Sequence, residues 1–208
     1  PLYNEDNTIC ITYNGEIFNF EGLKKDLLKA GHRFVSRTDT EVLVHGYEEW
    51  GTELLKKING QFAFCIFDKK KNTFFLARDH LGIKPLYYYY DSKKFIFGSE
   101  LKVFLKSQIE KQINQNALDH YLLFGNTPAE QSILNNVKKV LPGSYLIYDL
   151  AARTIREHKP YWTLSFSNEL DLPESEIKKE IVRQLDRSVR MQLISDVPLG
   201  AFLSGGVD

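Results

Sequence analysis

The chain of 208 residues is 43% hydrophobic and 13% aromatic, enough apolar material to bury a substantial core. Its 27 basic residues balance 27 acidic ones, so no net field draws nucleic acid or an anionic membrane, and small molecules are the expected partners. No run nears the ~18 apolar residues of a membrane span, no charged-then-apolar leader opens the chain, and Pro1 in place of Met leads us to expect a natural start upstream.

Cys10 and Cys65 each sit inside an apolar run, Ile9 to Ile11 and Phe64 to Ile66, which predicts packed thiols in strands. A reducing cytoplasm fits that pattern better than a disulfide framework. In chain order, a short strand over 10–13 leads into Asn14-Gly15, and Ile17 and Phe18 resume it, the pattern of a strand entering a tight turn. Leu23, Leu27 and Leu28 then recur at helical spacing until Gly31. Thr38 and Asp39 stand where a helix N-cap belongs, ahead of a helix running to Trp50 and closed by Gly51, with one more short helix through Leu54, Leu55 and Ile58.

Residues 61–68, 73–78, 86–90 and 94–98 are predicted strands dense in Phe, Tyr, Leu and Ile. Both faces of these strands are apolar. A one-sided sheet would alternate, so the pattern predicts a second sheet on one face and helices on the other. Helices over 100–106 and 115–124 follow, then a hairpin through 143–148 and 154–158. The polar stretch 168–173 is a candidate linker, which divides the chain into 1–168 and 169–208. Beyond it Ile177, Ile181, Leu185 and Val189 repeat every four residues on one long helix, followed by an apolar strand over 199–203.

Four constellations can carry chemistry. In Tyr13-Asn14-Gly15-Glu16 a side-chain amide beside an unhindered glycine N–H supplies two donors of the kind an oxyanion requires, although taken alone the pair reads as a hairpin turn. In Arg37-Thr38-Asp39-Thr40-Glu41 the local reading favours Asp39 as a helix cap, with ligand-ammonium binding as the alternative. Arg78 to Tyr88 reads as an ion-paired turn fixed by Gly82 and Pro85, a scaffold that also has the chance to order a nearby pocket. Finally, Ser204-Gly205-Gly206-Val207-Asp208 after an apolar strand lets backbone N–H groups approach phosphate oxygens and offers an Asp for Mg²⁺. The 5 histidines are scattered without ligand spacing, and no metal site is expected from them.

In the order and spacing of seven segments the chain resembles the glutamine-hydrolysing asparagine synthetase family. The segments are those at Tyr13, Thr38, Asn59 to Phe64, Arg78 to Tyr88, Ser99 to Lys102, Leu141 to Gly143, and Ser195 through Asp208. The resemblance implies an α+β fold: an N-terminal-nucleophile, four-layer αββα glutaminase sandwich (a type-2 glutamine amidotransferase domain), then the start of an α/β ATP-pyrophosphatase (PP-loop) domain. It implies that Asn14 and Gly15 form the oxyanion hole, and that Glu16 and Asp39 join them in binding glutamine, Asp39 on its α-ammonium. It further implies that Leu203, Ser204, Gly205, Gly206, Val207 and Asp208 bind ATP with Mg²⁺.

The implied reaction has two halves. An amino-terminal cysteine, with its own α-amine as base, splits glutamine to glutamate and ammonia through a thioester. The ammonia then displaces AMP from an aspartyl-adenylate to give asparagine. Glutamine, aspartate and ATP are the implied partners, with no nucleic acid or membrane, and a homodimer is left open. On this reading the chain begins after the nucleophilic cysteine and an arginine segment, and stops one residue short of the serine that completes the phosphate loop. The stretch as given is therefore expected to be inactive. The alternatives are an amidotransferase aminating a different carboxylate and a non-catalytic glutaminase-like module.

Overall fold

The computed structural model describes residues 1–167, 170–195, 197–203 and 205–206. The chain divides into two compact units, Pro1–Leu164 and Ser165–Asp208. The first unit contains β1 (Leu2–Tyr3), β2 (Ile9–Ile17), α1 (Phe20–Lys29), α2 (Asp39–Trp50), a 3₁₀ turn (Gly51–Lys56), β3 (Gly60–Asp68) and β4 (Thr73–Arg78). It continues through β5 (Tyr87–Tyr90), β6 (Phe95–Gly98), α3 (Lys102–Lys106), α4 (Gln115–Phe124), β7 (Lys138–Lys139), β8 (Ser144–Asp149) and β9 (Thr154–Pro160). The described part of the second unit contains α5 (Glu174–Gln192).

A six-stranded sheet runs β1-β2-β3-β4-β8-β9 and a three-stranded sheet runs β6-β5-β7, every pairing being antiparallel. The apolar character of both faces of β3 explains their stacking. Phe62, Phe64 and Ile66 point one way, into a core with Leu23 and Leu27 of α1 and Val42, Leu43 and Tyr47 of α2. Ala63 and Cys65 point the other way and meet Tyr88 of β5, Leu86 and Val140. The far face of the small sheet is closed by Phe104 of α3, Leu134 and Val137 around Tyr89. These clusters form four layers, helix, sheet, sheet and helix. Each large side chain fully buried between them contributes about 1.5–3 kcal/mol of hydrophobic stabilisation.

Local signals set the helix limits. Leu23 and Leu27, one turn apart, are the buried face of α1. The Asn114 side chain accepts from the Ala117 N–H and Gly125 adopts a left-handed φ of 73°, which caps α4 at both ends.

Two expectations give way. Asn14-Gly15 is not a turn: β2 passes straight through it, in register with Ala63 and Phe62 of β3. The predicted strand over 199–203 is irregular chain with Phe202 and Leu203 exposed. A buried strand needs hydrogen-bonded neighbours. In the second unit the described residues provide only a helix. The candidate linker has no regular secondary structure at its described residues, while Asn168 and Glu169 lie outside them. None of the described helices is long and apolar enough to cross a membrane.

Candidate functional site

β1 pairs with β2 only at Cys10 and Ile11, so from Thr12 onward β1 leaves the edge of β2 opposite β3 uncovered. Gly15 lies across from Phe62, whose N–H donates to Asp79 Oδ2 at 3.2 Å and whose carbonyl accepts the Asp79 N–H at 2.8 Å. The main chain of Phe62 therefore faces β4, which makes Gly15 and Phe62 a non-hydrogen-bonded pair and turns the Gly15 N–H outward to the open edge. Two residues on, the Ile17 N–H points the same way and donates to Asp39 Oδ2 at 2.8 Å. The two donors lie about 7 Å apart along the strand.

Glycine is required at position 15 by the approach of β3. A Cβ there would lie 2.2 Å from the Gln61 carbonyl oxygen and 2.7 Å from Phe62 Cα, both backbone atoms that cannot swing aside. This close contact is why Asn-Gly serves here as strand and not as turn.

Asp39 is the first residue of α2, yet its carboxylate does not cap the helix. Thr38 is the N-cap residue and no side chain bonds to the free N–H groups of the first turn. Instead Asp39 Oδ2 accepts from the Tyr13 hydroxyl at 2.7 Å and from Ile17, while Oδ1 meets only the Thr40 hydroxyl at 3.5 Å, the outer limit of a hydrogen bond. One oxygen is saturated and the other has capacity to spare. Burial, reinforced by the hydrogen bond to Asp39, pushes the Tyr13 hydroxyl far above its ordinary value, so it remains a donor throughout the neutral range.

Asn14 and Glu16 alternate with Tyr13 and Gly15 and share the face of β2 that looks toward the small sheet. Asn14 is exposed and lines a cavity of about 230 Å³ with Thr12, Ala63, Cys65, Leu86 and Gly98. Neither the Asn14 nor the Glu16 side chain makes a hydrogen bond among the described residues. Cys65 in the same cavity is buried, and burial pushes its thiol well above the usual range, which keeps it protonated. A larger cavity of about 450 Å³ lies beside Tyr87, Tyr121 and Lys139 and contains none of the predicted site residues. The site is therefore placed by the donors and carboxylate at β2, not by cavity size.

The loop after β4 braces this edge from behind. Asp79 is buried, and besides Phe62 it accepts from the N–H groups of Leu81, Ile83 and Lys84 at 3.2, 2.9 and 3.0 Å. Arg78 donates to the carbonyls of Lys84, Val140 and Gly82 at 2.8, 2.9 and 2.7 Å. The expected ion-paired turn is thus two charges, each bound to main chain, with no ion pair joining them. Tyr13 and Ile17 are the partners that sequence reasoning missed. Their only signal was a place within two or three residues of the Asn-Gly pair.

Of the predicted ATP residues, Ser204, Val207 and Asp208 lie outside the described residues. Leu203 is exposed and Gly205 has a φ of 76°.

The architecture has solved counterparts. The glutamine phosphoribosylpyrophosphate amidotransferase of Bacillus subtilis superposes with a TM-score of 0.52 at 20% identity, over 78% of this chain and 31% of that one. That likeness supports the class II amidotransferase sandwich fold and nothing finer. A protein of Methanocaldococcus jannaschii named as a glutamine-hydrolysing asparagine synthetase is 41% identical over 100% of this chain and 41% of its own length. Asparagine synthetase 3 of Bacillus subtilis, also named glutamine-hydrolysing, is 37% identical over 97% of this chain and 33% of its own. The chain thus spans well under half the length of these relatives. A model of the asparagine synthase family matches residues 180–208. The glutamine amidotransferase domain model matches residues 1–162, the stretch that holds both sheets and the β2 edge, and the chain belongs to that family.

Proposed function

We propose that Pro1–Leu164 binds glutamine and stabilises the transition state of its amide cleavage, releasing ammonia for an ATP-dependent synthetase that amidates aspartate in the cytoplasm. The observation that carries this reading is the outward Gly15 N–H on the same uncovered strand edge as Asp39. The Gly15 N–H and the Ile17 N–H that holds Asp39 are about 7 Å apart along the strand. A glutamine has its amide carbonyl five bonds from its α-ammonium, a comparable span.

On this reading the α-ammonium sits on Asp39 Oδ1, the oxygen with spare capacity, while Tyr13 and Ile17 hold Oδ2 and keep the carboxylate oriented. The amide oxygen faces the Gly15 N–H, with the Asn14 carboxamide as second donor and Glu16 at the rim. The Gly15 N–H is fixed by the strand before charge develops, so this donor needs little reorganisation as the oxyanion forms. The attacking thiol belongs to an amino-terminal cysteine with its α-amine as base. Cys65 does not fit that role, being buried and held protonated. The segment 169–208 is the beginning of the synthetase domain, in which ATP adenylates aspartate. Leu203 to Asp208 would hold ATP and Mg²⁺ there.

The test uses the full reading frame. Asp39→Ala is expected to abolish glutamine-driven asparagine formation while sparing ammonia-driven formation. Asn14→Ala is expected to lower glutaminase kcat by about 10²–10³-fold, the scale for loss of one oxyanion donor. If glutamine-driven and ammonia-driven turnover fell together in Asp39→Ala, the assignment of Asp39 to the glutamine pocket would be wrong.

A further inference from the structure

On the helical side of the large sheet, away from the Asn14 cavity, lies a second cluster that the reading above leaves unused. Its centre is His45 of α2, whose side chain is 1% exposed and whose two ring nitrogens have no hydrogen-bond partner among the described residues. Leaving a buried polar atom unsatisfied costs about 1–3 kcal/mol, so an imidazole orphaned at both nitrogens needs a reason.

The surroundings supply one. His45 Nδ1 lies 3.4 Å from Glu5 Oε2, too poorly aligned to bond, and His32 Nδ1 lies 3.8 Å from Glu48 Oε2. One ligand atom from each of Glu5, His32, His45 and Glu48 lies within 4.8 Å of the other three. We propose that these four residues form a site for a divalent transition-metal ion of the zinc type, holding the turn after β1, the chain after α1 and the middle of α2 together.

The outward-facing atoms support the assignment. Glu5 Oε1 accepts the Arg33 N–H at 3.0 Å, and Glu48 Oε1 accepts from Asn4 Nδ2 at 3.2 Å, which leaves Oε2 of each carboxylate for the interior of the cluster. His32 Nε2 bonds Glu49 Oε2 at 3.2 Å. His45 Nε2 faces Glu41 Oε1 at 3.5 Å, and Glu41 is itself fixed by the N–H groups of Val35 and Ser36, each at 2.7 Å. Each imidazole thus has a carboxylate behind it and a free nitrogen ahead, the arrangement that orients metal-ligating histidine.

Distance and charge agree. Ligand bonds of about 2.0–2.2 Å in a tetrahedron place neighbouring ligand atoms ~3.4 Å apart. Two of the separations already stand at 3.4 and 3.8 Å. Glu5 and Glu48, the more exposed members, have room to close the remainder by side-chain rotation. Two carboxylates neutralise a divalent ion, and two imidazoles with two oxygens suit zinc better than calcium or magnesium. A cavity of about 360 Å³, lined by Glu5, Asp6, His32, Glu48 and Glu49, opens the cluster to solvent. Spacing along the chain conceals the set, since only His45 and Glu48 share one helical face.

The tag-free chain, stripped with chelator, is titrated with Zn²⁺ by calorimetry and with Co²⁺ by visible absorption. We expect one equivalent of each to bind, Co²⁺ to give the intense d–d bands of four-coordination, and Zn²⁺ to raise the melting temperature. Glu48→Gln and His32→Gln, at partly accessible positions that leave the core intact, are each expected to weaken binding at least tenfold. Glu49→Gln, acting through His32, is expected to fall within the 10–100-fold range of outer-shell changes. The proposal is overturned if no stoichiometric binding occurs, in which case the cluster is an ion-pair network. It is equally overturned if Glu48→Gln and His32→Gln bind metal as tightly as the parent.

Discussion

Asp79, just after β4, and Asp39, at the start of α2, brace the same end of the large sheet, one against β3 and the other against β2, and they spend their oxygens differently. Asp79 accepts from four backbone N–H groups, those of Phe62, Leu81, Ile83 and Lys84, and has little acceptor capacity left. Asp39 takes two donors on one oxygen and leaves the other nearly unused. A buried carboxylate whose hydrogen bonds are complete is scaffold, whereas one with an oxygen to spare at an open strand edge can hold a cation.

The largest effect should come from removing the saturated partner. Asn at position 79 offers one carbonyl oxygen and turns an NH₂ toward N–H groups, so at least two donors lose their acceptor. With each orphan costing about 1–3 kcal/mol, Asp79→Asn should lose about 3–5 kcal/mol in urea unfolding. Asp39→Asn keeps an acceptor for Tyr13 and Ile17 and should lose no more than about 1–2 kcal/mol. Equal losses in the two variants would end the distinction between them.

The second effect concerns backbone approach at the same edge. Gly15→Ala forces a Cβ into the Gln61 carbonyl and should cost about 3 kcal/mol, the upper end of overpacking penalties. Gly22, exposed within α1, has no atom within 4 Å of the place a Cβ would occupy, so Gly22→Ala should stabilise by about 0.5–1 kcal/mol through helix propensity. Opposite signs in chemical denaturation would confirm that the strand, not the glycine itself, sets the requirement. A neutral Gly15→Ala would mean that β2 and β3 separate easily there.

How much of this was legible depended on the range of the cause. α4 could be read from its own ends, because Asn114 and Gly125 act within a turn of the residues they cap. The two-sided cover of β3 was legible from the apolar residues at both parities. Asn14-Gly15 was misread as a turn because the atom that dictates its conformation, the Gln61 carbonyl, lies more than forty residues away in sequence. Asp39 looked like a cap for the same reason, since its partners come from β2. β7 is two lysines that count as a strand only because Tyr87 and Tyr88 pair with them. The resemblance named Asn14, Gly15 and Asp39 as a group, but the donors that orient Asp39 emerge only from the fold.

The smallest effect tests how Asp39 is held. Tyr13→Phe deletes the 2.7 Å hydroxyl bond to Asp39 and leaves the Ile17 N–H in place. A hydrogen bond to a charged group contributes about 1.5–3 kcal/mol, and with the ring retained the loss should fall near the low end at pH 8. The hydroxyl also makes the difference pH-dependent. Burial and then Asp39 raise its pKa above the ordinary 10, so the folded protein keeps a proton that the unfolded chain releases. Its stabilising contribution is complete below pH 10 and declines above it, by up to about 1.4 kcal/mol per pH unit. The other buried tyrosines are common to both proteins and cancel in the comparison. The gap between parent and Tyr13→Phe in urea unfolding should therefore be flat from pH 7 to 9 and close between pH 10 and 11. A gap unchanged across that interval would mean that Tyr13 is not held protonated by the fold, and Asp39 would then owe its orientation to Ile17 alone.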